Sequence, residues 1–269
     1  MNKKIGIIGC GWLGLPLAIE FIKDGYQVNG TTTSKEKLEL LKKEKISPYL
    51  VSISEDLITS SITDFLSDVE TLVINVPPKL RGEHKENYVQ KMNLLHKAIT
   101  ISPTKHIIFV SSTAVYGDSD EEVTEMTTPV PTSISGKQLL ESESIFINDT
   151  NLQTTIIRFG GLISSDRHPV TMLSKKESVE NGQMPINLIH RNDCIRIIIA
   201  VLKNKWWGQI INGVYPDHPS KKEYYTSEAK KRDIKIPDYK VNTLKKGKVI
   251  NSDYLINVKR FKFLTPIMN

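Results

Sequence analysis

The stretch Gly9-Cys10-Gly11-Trp12-Leu13-Gly14 decides the fold. It fits G-x-G-x-x-G, a pattern that is weak alone and informative in context. Here it follows a short apolar run, residues 3–9. It opens a segment of helical spacing, residues 12–24, with Leu13, Leu17, Phe21 and Ile22 on one face. Strand, glycine turn and helix in that order build a cradle for the diphosphate of a dinucleotide. Gly9 allows the tight turn, Gly11 lets the pyrophosphate approach the backbone, and Gly14 permits close packing of helix on strand. Trp12 and Leu13 stand inside the same loop and count with the glycines as expected cofactor contacts. The helix N-terminus adds N–H groups and a partial positive charge.

Outward from the loop, strands and helices alternate. Gly25 closes the first helix and a strand is expected over 26–31, followed by an amphipathic helix over 34–45 with Ser34 as its N-cap. An apolar strand at 69–76 stops at Pro77-Pro78. A long helix at 84–101, a strand at 106–111, a helix at 135–147 and a strand at 152–159 follow. Several of these strands are apolar at consecutive positions, the mark of a parallel sheet covered on both faces. After Arg158 the rhythm loosens into a segment around 172–182, a strand at 186–189, helix at 192–202, strand at 209–212 and helix at 220–232. The expected architecture is α/β, a doubly wound parallel sheet with a small C-terminal substrate-side lobe. Residues 1–160 form the dinucleotide-binding core, and 161–269 form the lobe, interwoven so that 186–213 return to the core.

Composition narrows the function classes. The 269 residues include 39% hydrophobic and 25% charged residues, ordinary values for a globular chain. Two cysteines cannot build a disulfide framework, which suits a reducing compartment. No apolar run approaches the ~20 residues of a bilayer span, and the apolar stretch before Cys10 is shorter than the ~7–15 residues of an export segment. A cytoplasmic protein without a membrane partner is expected. The net charge of +6 is uneven: residues 214–269 hold 13 Lys+Arg against 6 Asp+Glu, a net +7, leaving −1 for the rest. These are lysine clusters, such as Lys230-Lys231-Arg232, that match no nucleic-acid module. Solvated faces are expected, and no nucleic-acid partner. No Cys/His cluster has metal-ligand spacing, so no metal is expected.

The end of the second strand reports on the ribose. An acidic residue ~20 positions beyond the loop would bond the 2′-hydroxyl of NAD. This chain has Thr31-Thr32-Thr33-Ser34-Lys35 instead, with no carboxylate to repel a 2′-phosphate. The hydroxyls of Thr32, Thr33 and Ser34 with the Lys35 ammonium favour NADP over NAD. Asn75, Val76 and Pro77 end the next core strand and are expected beside the cofactor, because ligands of open sheets sit at strand C-terminal ends.

Longer signatures carry a family resemblance. Phe109-Val110-Ser111-Ser112-Thr113-Ala114-Val115-Tyr116-Gly117 resembles the active-site strand end of extended short-chain dehydrogenases/reductases, the family of nucleotide-sugar epimerases and dehydratases. Asn187-Leu188-Ile189-His190-Arg191-Asn192-Asp193 resembles that family's late "IHxxD" segment. Residues 9–18 and Gly160-Gly161…Arg167-His168-Pro169 are similar to its atypical YeeZ-like branch. The resemblance spans essentially the whole chain and implies an NAD(P)-binding Rossmann fold.

It also implies roles. Ser112 falls where a hydroxyl orients the substrate carbonyl or hydroxyl. The family's general acid/base is a Tyr with a Lys four residues later, and the matching positions hold Ser133 and Lys137. None of the nine tyrosines has a Lys four places on. An alkyl hydroxyl cannot replace a phenolate without a separate base, so the family's usual mechanism lacks its acid/base at this position. Lys137 either bonds the nicotinamide ribose or is a solvated helix lysine. Asn87 matches the helix asparagine of the family's proton relay, or is surface polarity. Asp56 stands where a residue contacts adenine. Arg167 suits an anionic substrate, and His190 and Arg191 either line the substrate side or cap a helix. Tyr116 reads as part of a structural turn. Cys10 could have its pKa lowered by the helix N-terminus, although a redox role is not expected.

The segment after Gly160 is short for this family, which suits a small ligand. Homodimerisation through the two long helices would follow the family pattern. Two functions remain in view: an NAD(P)-dependent oxidoreductase or epimerase-like enzyme acting on a nucleotide sugar or other small hydroxyl/carbonyl compound, and a non-catalytic NAD(P)(H)-binding sensor or scaffold.

Overall fold

The computed structural model describes residues 4–78, 86–240 and 246–268. In chain order its elements are β1 (Lys4–Ile8), α1 (Gly14–Lys23), β2 (Gln27–Thr32), α2 (Glu36–Lys43), β3 (Ser47–Leu50), α3 (Ser61–Leu66), β4 (Thr71–Ile74), α4 (Tyr88–Thr100) and β5 (His106–Ser112). Then come β6 (Glu122–Val123), α5 (Ile134–Ile147), β7 (Gln153–Phe159), β8 (Gly161–Ile163), α6 (Val170–Leu173), β9 (Leu188–His190), α7 (Arg191–Lys203), β10 (Ile210–Gly213), α8 (Lys221–Lys231) and β11 (Val249–Ile250). Seven strands form one sheet in the order β3-β2-β1-β4-β5-β7-β10, with every pair parallel. The chain winds outward from β1 to β3, crosses back to β4 and continues in the other direction. The order therefore reverses between β1 and β4, and connections on either side of such a reversal part to leave a crevice.

Period-two alternation divides the core between two helical layers. Ile107 and Phe109 of β5 join the cluster containing Phe65, Met92, Leu95 and Phe146, from α3, α4 and α5. Ile108 joins the opposite cluster, with Leu17 and Phe21 of α1 and Ile198 and Val201 of α7. The doubly wound sheet is as the sequence led us to expect, and all six expected core strands are present within a few residues. The seventh, β3, was not anticipated. It is a sheet edge carrying Pro48, and an edge is where a residue without an N–H donor is tolerated.

Some boundaries differ. Ser34 does not cap α2: the cap position is Lys35, without a side-chain cap bond, and the Ser34 hydroxyl donates to the Glu36 carboxylate. The long helix begins at Tyr88, after Asn87; positions 84 and 85 of the expected helix lie outside the described residues. The strand expected at 186–189 is the short β9, paired with β8, and the segment at 172–182 is mostly turns beyond α6.

A smaller lobe collects β8, β9, α6 and α8 around Ile163, Val170, Leu188 and Tyr224. The C-terminal tail runs back to the main core, where Leu255 is buried. There the backbone N–H groups of Leu264 and Thr265 donate to the buried Asp193 carboxylate at 3.1 and 2.9 Å. Among the described residues no helix is long and apolar enough to cross a membrane.

Candidate active site

The crevice between β1 and β4 is a cleft of about 530 Å³ at the strand C-terminal ends. Its floor is the glycine loop. Gly9 has φ +96, and a Cβ there would strike the Asn75 carbonyl; a Cβ on Gly14 would strike the Gly9 carbonyl. At Gly11, by contrast, a Cβ would meet nothing within 4 Å, and Gly11 lines the cleft. Two glycines are thus required by the loop's own packing, while at the third the cleft stays open.

Neighbouring strand ends fasten this loop. The Gly9 N–H donates to Thr31 Oγ1 and the Cys10 N–H to the Thr31 carbonyl, both at 2.9 Å; Asn75 Nδ2 donates to the Gly9 carbonyl at 3.1 Å. Loop residues Gly9, Gly11, Trp12 and Leu13 and strand-end residues Asn75, Val76 and Pro77 all line the cleft. The pKa of Cys10 is not lowered by its place in the loop: burial pushes its thiol up to about 12.

At the β2 end, Thr31, Thr32 and Thr33 line the cleft together with Lys37. Ser34 and Lys35 do not, and Lys35 is exposed at the start of α2. The lysine that lines the cleft is therefore Lys37, two residues further on, inside the first turn of α2. The adjacent wall is formed by Val51, Ser52, Ile53 and Ser54, while Asp56 is exposed in the bend beyond them.

The far end is formed by Val110, Ser111, Ser112, Phe159, Gly160, Leu162 and Arg167. The Ser112 hydroxyl accepts from the Ala114 N–H at 3.2 Å, capping the turn Thr113–Tyr116. Next to it, Ser111 donates to Glu143 Oε1 at 2.5 Å. Glu143 also takes the Arg158 guanidinium, with Nη2 at 2.6 Å. Arg158 Nη1 donates to the Tyr116 hydroxyl at 3.0 Å, and that hydroxyl donates to Asn212 Oδ1 at 2.8 Å. Tyr116 is spent in this buried network and does not line the cleft; burial raises its pKa. Among the described residues lining the cleft there is no tyrosine.

Ser133 and Lys137 lie off the cleft. The Ser133 hydroxyl accepts from the Gly136 N–H at 3.0 Å as N-cap of α5, and Lys137 is exposed on the same helix. Asn87 caps α4, accepting from the Gln90 N–H at 3.1 Å. His190 caps α7, its Nδ1 accepting from the Asn192 N–H at 3.1 Å. Arg191 pairs with Asp166 at 3.2 Å, and its guanidinium lies 4.8 Å from the Trp12 ring centroid. Arg167 stacks on the same ring at 4.9 Å, and the indole N–H donates to Asp166 Oδ2 at 3.2 Å. Trp12 therefore ties the glycine loop to the smaller lobe.

Sequence reading missed a charged pair on the cleft wall. Lys91, only 5% exposed, is ion-paired with Glu86, and both line the cleft. Its signal was in the helix pattern: Tyr88, Lys91, Met92, Leu95 and Ile99 are the buried residues of α4, and a lysine interrupts an otherwise apolar stripe. No group of three His, Cys, Asp or Glu side chains placed to hold a metal ion occurs among the described residues.

Comparison with known proteins accords with this geometry. The model of a family described as NAD(P)H-binding matches residues 9–205. Protein YeeZ of Escherichia coli K12 is 33% identical over 267 residues, which cover 98% of this chain and 97% of that one. The chain belongs to the NAD(P)-binding epimerase/dehydratase-like family of atypical short-chain dehydrogenases/reductases. Solved structures share the fold. UDP-glucuronic acid 4-epimerase from Bacillus cereus, in complex with NAD, superposes with TM-score 0.80 at 17% identity, covering 98% of this chain and 93% of that one. MoeE5 in complex with UDP-glucose and NAD gives 0.79 at 18%, covering 98% and 94%.

Proposed function

We propose that this family member is an NADP-preferring oxidoreductase or epimerase-like enzyme acting on a small, anionic hydroxyl or carbonyl compound. The observation that carries the reading is the single cleft that joins the glycine loop, the threonine-rich β2 end, Ser112 and Arg167. The dinucleotide would be held with its diphosphate over Gly9–Leu13 and its adenosine ribose against Thr31–Thr33. When bound, it supplies or accepts a hydride. The Lys37 ammonium pairs with a 2′-phosphate, a contact that NAD does not offer. Ser112 holds the substrate oxygen, and the Arg167 fork binds a phosphate or carboxylate on the substrate. The smaller lobe covers the reacting end and excludes water.

A non-catalytic sensor is the second reading. It is favoured by the use of Ser133 as a helix cap and by the solvent position of Lys137, which leave neither on the cleft wall.

Titration of NADPH and NADH by nicotinamide fluorescence tests the cofactor reading. NADPH is expected to bind more tightly. Lys37→Ala should weaken NADPH alone by about tenfold, the size of one charge-assisted hydrogen bond; an unchanged ratio contradicts the assignment. Loss of nicotinamide absorbance is then followed with phenanthrenequinone, methylglyoxal and glyceraldehyde phosphate, and its gain with the oxidised cofactor and UDP-glucose. Turnover of any of these supports the enzyme, whereas tight binding without turnover supports the sensor.

A further inference from the structure

Lys91 occupies a place where an apolar residue would pack at no electrostatic cost. Its helix neighbours in the core-facing stripe are Tyr88, Met92 and Leu95, all essentially inaccessible. Its side chain is 7% exposed and its ammonium meets the Glu86 carboxylate. Taking an ammonium out of water costs several kcal/mol before pairing, and here the partner carboxylate of Glu86 keeps 35% of its side chain exposed, so the burial falls on Lys91. Stability alone therefore does not account for a lysine at this position. Its surroundings do, because Lys91 and Glu86 lie on the wall of the cleft that carries Ser112.

The position is also fixed. The Tyr88 hydroxyl donates to the Val76 carbonyl at 2.7 Å, holding the first turn of α4 against the end of β4. The Tyr88 N–H donates to Gln138 Oε1 at 2.8 Å, holding the same turn against α5. A proton-bearing group is thus presented to the cleft from a rigid element, one turn inside a helix capped by Asn87.

Resting on the oxidoreductase reading above, we infer that the Lys91 ammonium, held by Glu86, is the proton donor to the substrate oxygen. In the reducing direction, hydride from the reduced dinucleotide adds to the carbonyl carbon and the C=O π pair moves to oxygen. An Nζ–H bond of Lys91 breaks as the new O–H bond forms, leaving a neutral amine. Water returns the proton to Lys91, and the regenerated ammonium pairs again with Glu86. In the oxidising direction the same amine accepts the hydroxyl proton. Ser112 orients the oxygen, so the chemistry needs no phenol at position 133.

Lys91→Arg separates charge from proton transfer, because a guanidinium keeps the pairing with Glu86 yet does not release a proton at neutral pH. Wild type, Lys91→Arg and Lys91→Ala are compared with NADPH and phenanthrenequinone, and NADPH binding is measured separately by fluorescence. Lys91→Arg should bind NADPH within about threefold of wild type while kcat falls about 10²–10⁴-fold, the usual contribution of a positioned general acid. Added methylammonium should restore part of the turnover of Lys91→Ala. If Lys91→Arg keeps kcat within about threefold, the proton-donor role is overturned while the oxidoreductase reading stands. A loss that no added amine repairs also overturns proton transfer and leaves Lys91 a positioning residue. Wild-type binding of NADPH without turnover removes the oxidoreductase reading itself, and this inference with it.

Discussion

Ser133 and Lys91 show how residue identity and residue role separate. Alignment of motifs put Ser133 at the position of a proton-transferring tyrosine, but its hydroxyl is used on the Gly136 N–H at the start of α5. Ser133→Ala should therefore lower unfolding stability in urea by about 1 kcal/mol, the usual value of an N-cap, while NADPH affinity and turnover stay unchanged; a proton-transferring serine would instead lose turnover at unchanged stability. Gly9, Gly11 and Gly14 were legible because each answers a steric demand that follows from the motif. Lys37, Glu86 and Lys91 were not, because their value depends on which helix turn meets the cleft. The sequence also suggested a depressed thiol at Cys10. The structure gives the opposite, since burial outweighs the hydrogen bond from the backbone N–H of Thr31 that favours the thiolate.

At the scale of elements, periodicity found six strands of the sheet, the edge strand β10 among them, and missed β3 and α3. β1, β4, β5 and β7 read as apolar runs. β3 contains Pro48 and no buried residue, and α3 is six residues long, too short to display a repeat. The smaller lobe was legible only as a break in rhythm, because its order comes from long-range contacts. One of these is the set around His168. Its Nε2 faces the Tyr224 hydroxyl at 2.9 Å, its Nδ1 accepts from the Val170 N–H at 3.3 Å, and Glu228 lies 3.7 Å away. Tyr225 packs against the ring edge-on, and Arg232 is paired with Glu228.

Burial, reinforced by the Arg232 charge and opposed by Glu228, lowers the His168 pKa from 6.5 to about 4. The unfolded chain then binds a proton that the folded lobe refuses between those values. Stability from this residue is complete above pH 6.5 and is lost as pH falls toward 4. Urea unfolding across that range should show a decline that is shallower in His168→Gln. Equal slopes in the two proteins would remove His168 as its source.

For the whole molecule, the cleft is set by where the sheet reverses its winding. The strand order puts β1 beside β4, and the cleft lies over that junction with the glycine loop as its floor. Trp12 then links the loop to the smaller lobe through Asp166 and Arg167, so both lobes line one cleft. Alternation of strands and helices made this architecture readable from the sequence. The composition of the cleft wall was only partly readable, because it is assembled from strand ends and helix starts far apart in the chain.

Gly11 offers the most direct test of the site. A Cβ there meets no protein atom within 4 Å and Gly11 lines the cleft, so Gly11→Val should fold normally yet fill the space proposed for the diphosphate. We would titrate NADPH against wild type and Gly11→Val by nicotinamide fluorescence, with thermal unfolding of both proteins as the control for folding. The account predicts saturable binding to wild type and a loss of at least about tenfold, or about 1.4 kcal/mol, in Gly11→Val at an unchanged unfolding temperature. Equal NADPH affinity in the two proteins would contradict it.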